Sequence, residues 1–410
     1  MLTGVPVPFD LAPTDSLAEP ATLPLKRPTL LCFSHLRWDF VFQRPQQLMT
    51  RFARDMDVIY WEEPVVLGRR ETAHLKVRQV EGFPAVRVVV PHLPAGLTMA
   101  EAEATLTRLF DAFASALRGS VIAWYYTPLM LPFSRNLVAD AVVFDVMDEL
   151  SMFRFAPDFL LSLEQELIDR ADLVFTGGSS LFEAKKNRHH SVHCFASSVD
   201  RSHFMRARSA HADPSDQAKL PHPRLGFYGV IDERFDVALL AQIADLRPDW
   251  SLVMVGPVVK IADDELPRRA NIHYLGAKTY PELPDYLAGW DVALMPFAMN
   301  EATKFISPTK TPEYLAAGRP VVSTPIRDVV RHYGHLEGVG IAATAAEFVA
   351  ACETALDQSR DPTGEWLVEA DVMLSAASWE TVQSRMAGLI AEVLDDNADT
   401  AMPSLLAAAR

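Results

Sequence analysis

The chain predicts an α/β protein made of two doubly wound, Rossmann-like domains facing each other across a cleft. Three observations predict it. Its 410 residues exceed what one hydrophobic core usually organises and suit two domains of about 200 residues each. Short apolar runs alternate with helical patterns in two separate series, as in parallel sheets buried on both faces. A polar stretch, 206–223, ends in Pro221-His222-Pro223 and divides the two series.

Residues 1–27 carry several prolines and little periodicity, and are expected to form a mobile arm. The first domain, 28–205, opens with a strand at Thr29–Ser34 and a helix over Pro45–Ala53, with proline in its first turn. Further strands are expected at Val58–Trp61, Val86–Val90, Val121–Tyr125, Ala141–Asp145, Leu173–Thr176 and Ser191–Phe195. Helical spacing marks Ala100–Leu117, Leu160–Ala171 and Ser180–Asn187. The second domain, 224–375, places strands at Leu225–Tyr228, Ser251–Val255, Ile272–Leu275, Val292–Met295 and Val321–Ser323. Its helices are Val237–Arg247, Tyr280–Leu287, Thr311–Ala317 and Ala345–Gln358. Residues 376–394 hold a last amphipathic helix, Trp379–Val393. Residues 395–410 are expected to form a loose tail, polar to Ala-rich.

Composition narrows the function. Net charge is -15, almost all of it in the second half of the chain, which argues against a general nucleic-acid binder. Cys32, Cys194 and Cys352 are far apart and odd in number, so neither a disulfide framework nor a metal spacing follows, and a reducing compartment fits. The N-terminus has no basic segment leading into an apolar one, and no run approaches the roughly 18 apolar residues of a membrane span. Val121–Phe133 comes nearest and is interrupted by Pro128 and Pro132. A cytoplasmic protein is expected.

The most informative stretch is Met295–Thr324, MPFAMNEATKFISPTKTPEYLAAGRPVVST. It leaves a strand, crosses a polar loop, opens a helix and returns through Gly318-Arg319-Pro320 to a strand. Lys310 and Glu313 stand three apart and share one helical face. A cation beside free helix N–H groups suits a phosphate. A carboxylate one turn on suits paired sugar hydroxyls. The pair therefore fits a nucleotide-sugar grip.

Residues 28–393 resemble the glycosyltransferases of the GT-B fold, particularly family 4. PEYLAAGRPVVST carries the strongest likeness, to that family's Glu, small-residue, Gly-x-Pro-Val-Val segment. Arg170-Ala171-Asp172-Leu173-Val174-Phe175, Ser197-Ser198-Val199-Asp200-Arg201-Ser202-His203-Phe204, Gly226-Phe227-Tyr228-Gly229 and Ser378-Trp379-Glu380 support it. The last of these resembles the start of the helix that returns to the N-terminal domain. FSHLRWDFVFQRPQQL is similar to a bacterial subgroup linked to cell-surface polysaccharide synthesis. The chain departs from the pattern at three places, one of them the turn Val230-Ile231-Asp232-Glu233-Arg234, where many members carry an Arg and a Lys and here Arg234 could serve. The family usually has two glutamates separated by seven residues, but the position eight before Glu313 is Phe305, and the nearest earlier acid is Glu301. The Gly-rich first loop of the N-terminal domain is replaced by His35–Arg44.

The resemblance implies a transferase moving a sugar from a nucleotide diphosphate donor, with UDP-sugars favoured, to a glycan or lipid-linked acceptor, with retention and no bound metal. Lys310 and Arg234 would meet the leaving diphosphate, and Asp148 would orient hydroxyls. Glu313 would hold the ribose, with Ser307, Thr309 and Gly229 completing the donor side. His35, Arg37, Trp38 and Arg44 would form the acceptor side, with Trp38 stacking on the acceptor and Arg37 or Arg44 meeting phosphate. His189, His190 and His193 lack the carboxylate or Cys that would complete a metal shell. With Lys185, Lys186, Arg188, Arg201, Arg206 and Arg208 they suggest a basic surface for peripheral contact with the inner face of the membrane. No cofactor is expected. Two alternatives use the same architecture: a catalytically silent nucleotide- or glycan-binding assembly partner, and a nucleotide-sugar epimerase.

Overall fold

The computed structural model describes residues 27–408, apart from 154, 155, 210, 211 and 362. The expected mobile arm, Arg27 aside, lies outside the described residues. The N-terminal sheet contains β1 (Thr29–Ser34), β2 (Asp57–Glu62), β3 (Val65–Leu67), β4 (His74–Val80), β5 (Phe83–Pro94), β6 (Val121–Tyr125), β7 (Ala141–Val146), β8 (Leu173–Thr176) and β9 (Val192–Cys194). Their order is β3-β5-β2-β1-β6-β7-β8-β9, all parallel, with β4 antiparallel on β5. The C-terminal sheet contains β10 (Arg224–Tyr228), β11 (Ser251–Val255), β12 (Ile272–Gly276), β13 (Val292–Met295), β14 (Val321–Ser323) and β15 (Val339–Ile341). It runs β12-β11-β10-β13-β14-β15 and is parallel throughout. In both sheets the order reverses beside the first strand, the place where doubly wound sheets leave a ligand crevice.

Strand alternation sorts the N-terminal side chains onto two faces. Leu30 and Cys32 turn to one face with Leu48, Phe52, Trp124 and Phe175. Leu31 and Phe33 turn to the other with Phe110, Phe133 and Leu167. The first face is closed by the C-terminal helix Trp379–Ala408, whose Trp379, Met386 and Ile390 are buried in that core. Burial of Met386 and Ile390 contributes about 1.5–3 kcal/mol each. Arg51 Nε donates to Glu380 Oε1 at 2.8 Å beside it. The return helix expected from Ser378-Trp379-Glu380 is therefore present and docked on the N-terminal domain.

Four features differ from the sequence reading. The residues expected as a loose tail continue the last helix to Ala408. Val199, Phe204 and Ala207 belong to the C-terminal core, so packing changes domain before residue 205. The 206–223 stretch is a fastened crossing: Gln217 is buried, accepts from Trp290 Nε1 at 2.8 Å and donates to the Tyr286 carbonyl at 3.0 Å. The long β4–β5 hairpin replaces the single short strand expected at Val86–Val90.

Candidate active site

The cleft between the domains is walled on the C-terminal side by Tyr228–Val230, Val255–Pro257, Ile306–Lys310 and Glu313. On the N-terminal side stand Phe40–Arg44, Met147 and Asp148. The ends of β10 and β11 meet here with almost no clearance. Gly229 has φ +145, and a Cβ on it would lie 2.3 Å from Lys310 Cε. Gly256, at φ +143, faces the Gly229 carbonyl oxygen, which a Cβ would meet at 1.8 Å. Only glycine adopts these dihedrals with that clearance, and their absent side chains let Lys310 lie across the strand ends.

Lys310 begins the helix Lys310–Ala316. That helix has seven residues, so the cation is the ammonium rather than a long helix dipole. The ammonium stands 5.9 Å from the Phe227 ring centroid and forms no ion pair with a described residue. Burial lowers its pKa from the ordinary lysine value, while Glu313 pulls the other way. Glu313 is one turn on and buried. Its Oε2 accepts a very short hydrogen bond from the Tyr228 hydroxyl and a longer one, 3.4 Å, from Thr309 Oγ1. Both protein donors use the same oxygen, which leaves Oε1 for a ligand. Burial pushes the Glu313 carboxyl up to about 7, against the Tyr228 bond and the Lys310 charge. Thr309 occupies the N-cap position, yet its hydroxyl turns to Glu313 and caps nothing. Ser307 lines the cleft next to Gly178 of the other domain, where a Cβ would come within 2.5 Å of the serine Cβ.

Arg234 also lines the cleft and is gripped by Asp232: Nε donates to Oδ1 at 3.0 Å and Nη2 to Oδ2 at 2.7 Å. Burial works against its charge, but the Asp232 bond wins and the guanidinium pKa is raised. Asp148, from the loop after β7, forms no hydrogen bond or ion pair with a described residue. Burial raises its pKa, opposed by Arg234, Lys260 and Lys310 and reinforced by Asp232. One N-terminal carboxylate thus faces three C-terminal cations.

The residues expected to form the acceptor side are placed differently. Arg44 has Nε and Nη2 on Asp145, at 3.0 and 2.8 Å, and Nη1 on the Phe195 carbonyl at 2.7 Å. Three of its five N–H groups are committed to these partners, and the side chain borders the cleft as part of its wall. Trp38 is buried edge-on to Tyr60, ring centroids 5.0 Å apart, and does not present a free face for stacking. Arg37 pairs with Glu62 at 2.9 Å and donates to the Glu63 carbonyl at 2.6 Å. His35 has a buried Nδ1 without a partner among the described residues, and burial, then Lys260, lower its pKa to about 4. Neither His35 nor Arg37 nor Trp38 lines the cleft.

The expected basic face is likewise paired. Lys185 is buried between Glu149 and Glu164, Arg188 reaches Glu164, and Arg208 pairs with Asp371. Among the described residues no helix is long and apolar enough to cross a membrane.

Sequence reasoning missed the aromatic wall. Tyr280 stacks on His203 with ring centroids 4.2 Å apart, meets Phe42 of the other domain at 4.7 Å, and receives a hydrogen bond from Gln47 Nε2 at 3.0 Å. A lone tyrosine opening a helix carries no sequence signal for such a junction. Tyr228 stood within a quoted motif, and only its position beside Gly229 hinted that its hydroxyl would reach the site.

Residues 222–358 match the family described as glycosyl transferases group 1. The chain is 27% identical over 264 residues to the putative teichuronic acid biosynthesis glycosyltransferase TuaH of Bacillus subtilis, covering 58% of this chain and 64% of that relative. Among solved structures, sucrose-phosphate synthase from Thermosynechococcus elongatus superposes with a TM-score of 0.65 at 15% identity, over 90% of this chain and 100% of that one. Anabaena HepE in complex with UDP-glucose gives 0.63 at 12% identity, over 89% and 99%. These likenesses show the two-domain GT-B fold.

Proposed function

We propose that the protein is a glycosyltransferase that moves a sugar from a nucleoside diphosphate donor, a UDP-sugar, to a glycan or lipid-linked acceptor in cell-surface polysaccharide synthesis. The family match of the C-terminal domain and the similarity to TuaH support the reaction class. UDP-glucose bound to HepE supports the donor class. We further assign the chain to the family 4 subgroup, on the PEYLAAGRPVVST segment. The single observation that carries the donor site is the pairing of Lys310 and Glu313. An ammonium with no ion pair among the described residues and a carboxylate whose Oε1 takes no hydrogen bond from them face the same crevice, one helical turn apart.

In this proposal Glu313 Oε1 accepts from the ribose hydroxyls, and Lys310 and Arg234 stabilise negative charge as the diphosphate leaves. Stabilising charge that develops in the transition state is commonly the largest catalytic contribution. Asp148, across the cleft, orients an acceptor hydroxyl. Retention needs no general base here; it needs a stabilised leaving group and an acceptor held close. Closure of the domains excludes water that would hydrolyse the donor. The two cations take the place of a metal. A lipid-linked acceptor would bring the protein to the inner face of the membrane.

The test is incubation of the purified chain with a panel of UDP-sugars and lipid-linked or glycan acceptors, in EDTA, with products resolved by mass spectrometry. Sugar transfer in EDTA is the expected result. Interconversion of the donor without any acceptor would replace the proposal by an epimerase. UDP binding with no turnover on any acceptor would replace it by a silent binding partner.

A further inference from the structure

Phe153 follows the short turn Leu150–Met152 in the loop after β7 and belongs to the N-terminal domain, yet its ring lies against two cations of the other domain. The Arg234 guanidinium carbon is 5.5 Å from the ring centroid and the Lys260 ammonium 5.4 Å. Both fall inside the roughly 6 Å over which an aromatic quadrupole attracts a cation. Arg234 comes from the loop after β10 and Lys260 from the loop after β11. Two like charges from separate loops are therefore held at one aromatic group.

The loop that carries Phe153 is firmly mounted. Glu149 takes the buried Lys185 ammonium at 2.8 Å, and Lys185 also reaches Glu164 at 2.8 Å. The same loop supplies Asp148, whose carboxylate faces Arg234, Lys260 and Lys310. Lys260 is itself unusual. Its φ is +63, and among the described residues it is the one non-glycine with positive φ. A lysine in the left-handed region persists where its surroundings over-determine it, and such residues cluster at working sites. A ring attracts a cation without delivering a full negative charge. Lys260, which forms no ion pair with a described residue, keeps its field for an anionic ligand, while Arg234 shares its charge with Asp232.

We propose that Phe153 is a positioning residue for Arg234 and Lys260, setting both cations for the donor's diphosphate when the two domains close. The proposal rests on the donor site described above and adds a step to it. The N-terminal domain completes the cation set of the C-terminal domain, so catalysis is coupled to closure. The two domains are also joined by Asp328, which accepts from Ser180 Oγ at 2.6 Å, and by Ser179 Oγ and His332 Nε2 at 2.8 Å.

The test compares the full-length wild type with Phe153→Tyr, Phe153→Trp and Phe153→Leu, each checked for folding by circular dichroism. UDP affinity is measured by calorimetry, closure by solution scattering with and without UDP, and turnover on the donor the wild type uses. The Leu variant is expected to bind UDP within about twofold, to stay more expanded, and to lose about tenfold in kcat with little change in KM. Tyr and Trp, which keep the quadrupole, are expected to retain closure and turnover. A Leu variant that compacts and turns over like wild type overturns the proposal. So does an equal loss in the Leu, Tyr and Trp variants, which marks packing alone. A wild type that binds no UDP would instead remove the donor reading. The ligand-free radii of the four chains would then decide the ring's grip: an expanded Leu variant supports it, and equal radii overturn it.

Discussion

The two domains hold charge in different ways. On the N-terminal side Arg44 is locked to Asp145, Arg37 to Glu62, and Lys185 to Glu149 and Glu164. On the C-terminal side Lys310 has no ion-pair partner among the described residues, and Glu313 touches only neutral hydroxyls. Buried charge is costly unless paired. A charge neutralised by its own domain serves the scaffold, and one left uncompensated is kept for a ligand. Asp148 is the N-terminal exception, and it faces the cations of the other side. The comparison therefore assigns structure to the paired residues and chemistry to the unpaired ones, except Arg234, which is paired with Asp232 yet lines the crevice and belongs to the chemistry.

The sharpest way to break this division is to cut one partner from each domain. Arg44→Leu leaves Asp145 buried and alone, so unfolding free energy should fall by about 3–5 kcal/mol in a urea titration. Lys310→Ala should leave that titration within about 0.5 kcal/mol of wild type while cutting turnover by about 10²–10³. Equal effects of the two on stability would dissolve the distinction. A smaller loss follows from Glu313→Ala, which should weaken UDP binding by about 1–3 kcal/mol in calorimetry.

The mildest effect comes from pH. Burial raises the Glu313 carboxyl to about 7 in the free protein, and only the carboxylate accepts from both ribose hydroxyls. UDP affinity should accordingly be full above that value and fall as pH drops through it, by about tenfold between pH 8 and pH 6. The groups facing Glu313 are Lys310, Tyr228 and Thr309; burial raises the Tyr228 hydroxyl well above the ordinary tyrosine value, away from this window, and lowers the Lys310 ammonium from the ordinary lysine value. A Glu313→Gln variant should show weak, flat binding over the same range.

The sequence made the fold legible wherever hydrophobic period and punctuation agreed. Strand β1 and the helix after it, the segment from Lys310 to Ser323 and the returning helix at Trp379 all carry such marks. The hairpin of β4 and β5 was lost because β4 is largely exposed, HLKVRQV, and offers too few apolar residues to stand out. Strand β15, Val339–Ile341, is three residues with a central glycine. The donor-side pair was legible because Lys310 and Glu313 are local, three apart on one helix. The acceptor side was not, because its residues are defined by distant partners: Arg44 meets Asp145 across 101 residues. Phe153 is hidden for the same reason, since its two cations lie in the other domain. Spacing along a chain reveals one-turn constellations; pairing across a fold needs coordinates.

The most direct test of the donor-face assignment is calorimetric titration of UDP into the purified chain in EDTA, for wild type, Lys310→Ala, Glu313→Ala and Arg37→Ala. The account predicts binding that survives EDTA, weakens in the first two variants, and stays within about twofold of wild type in Arg37→Ala. No binding by the wild type, or the same weakening in all three variants, would contradict it.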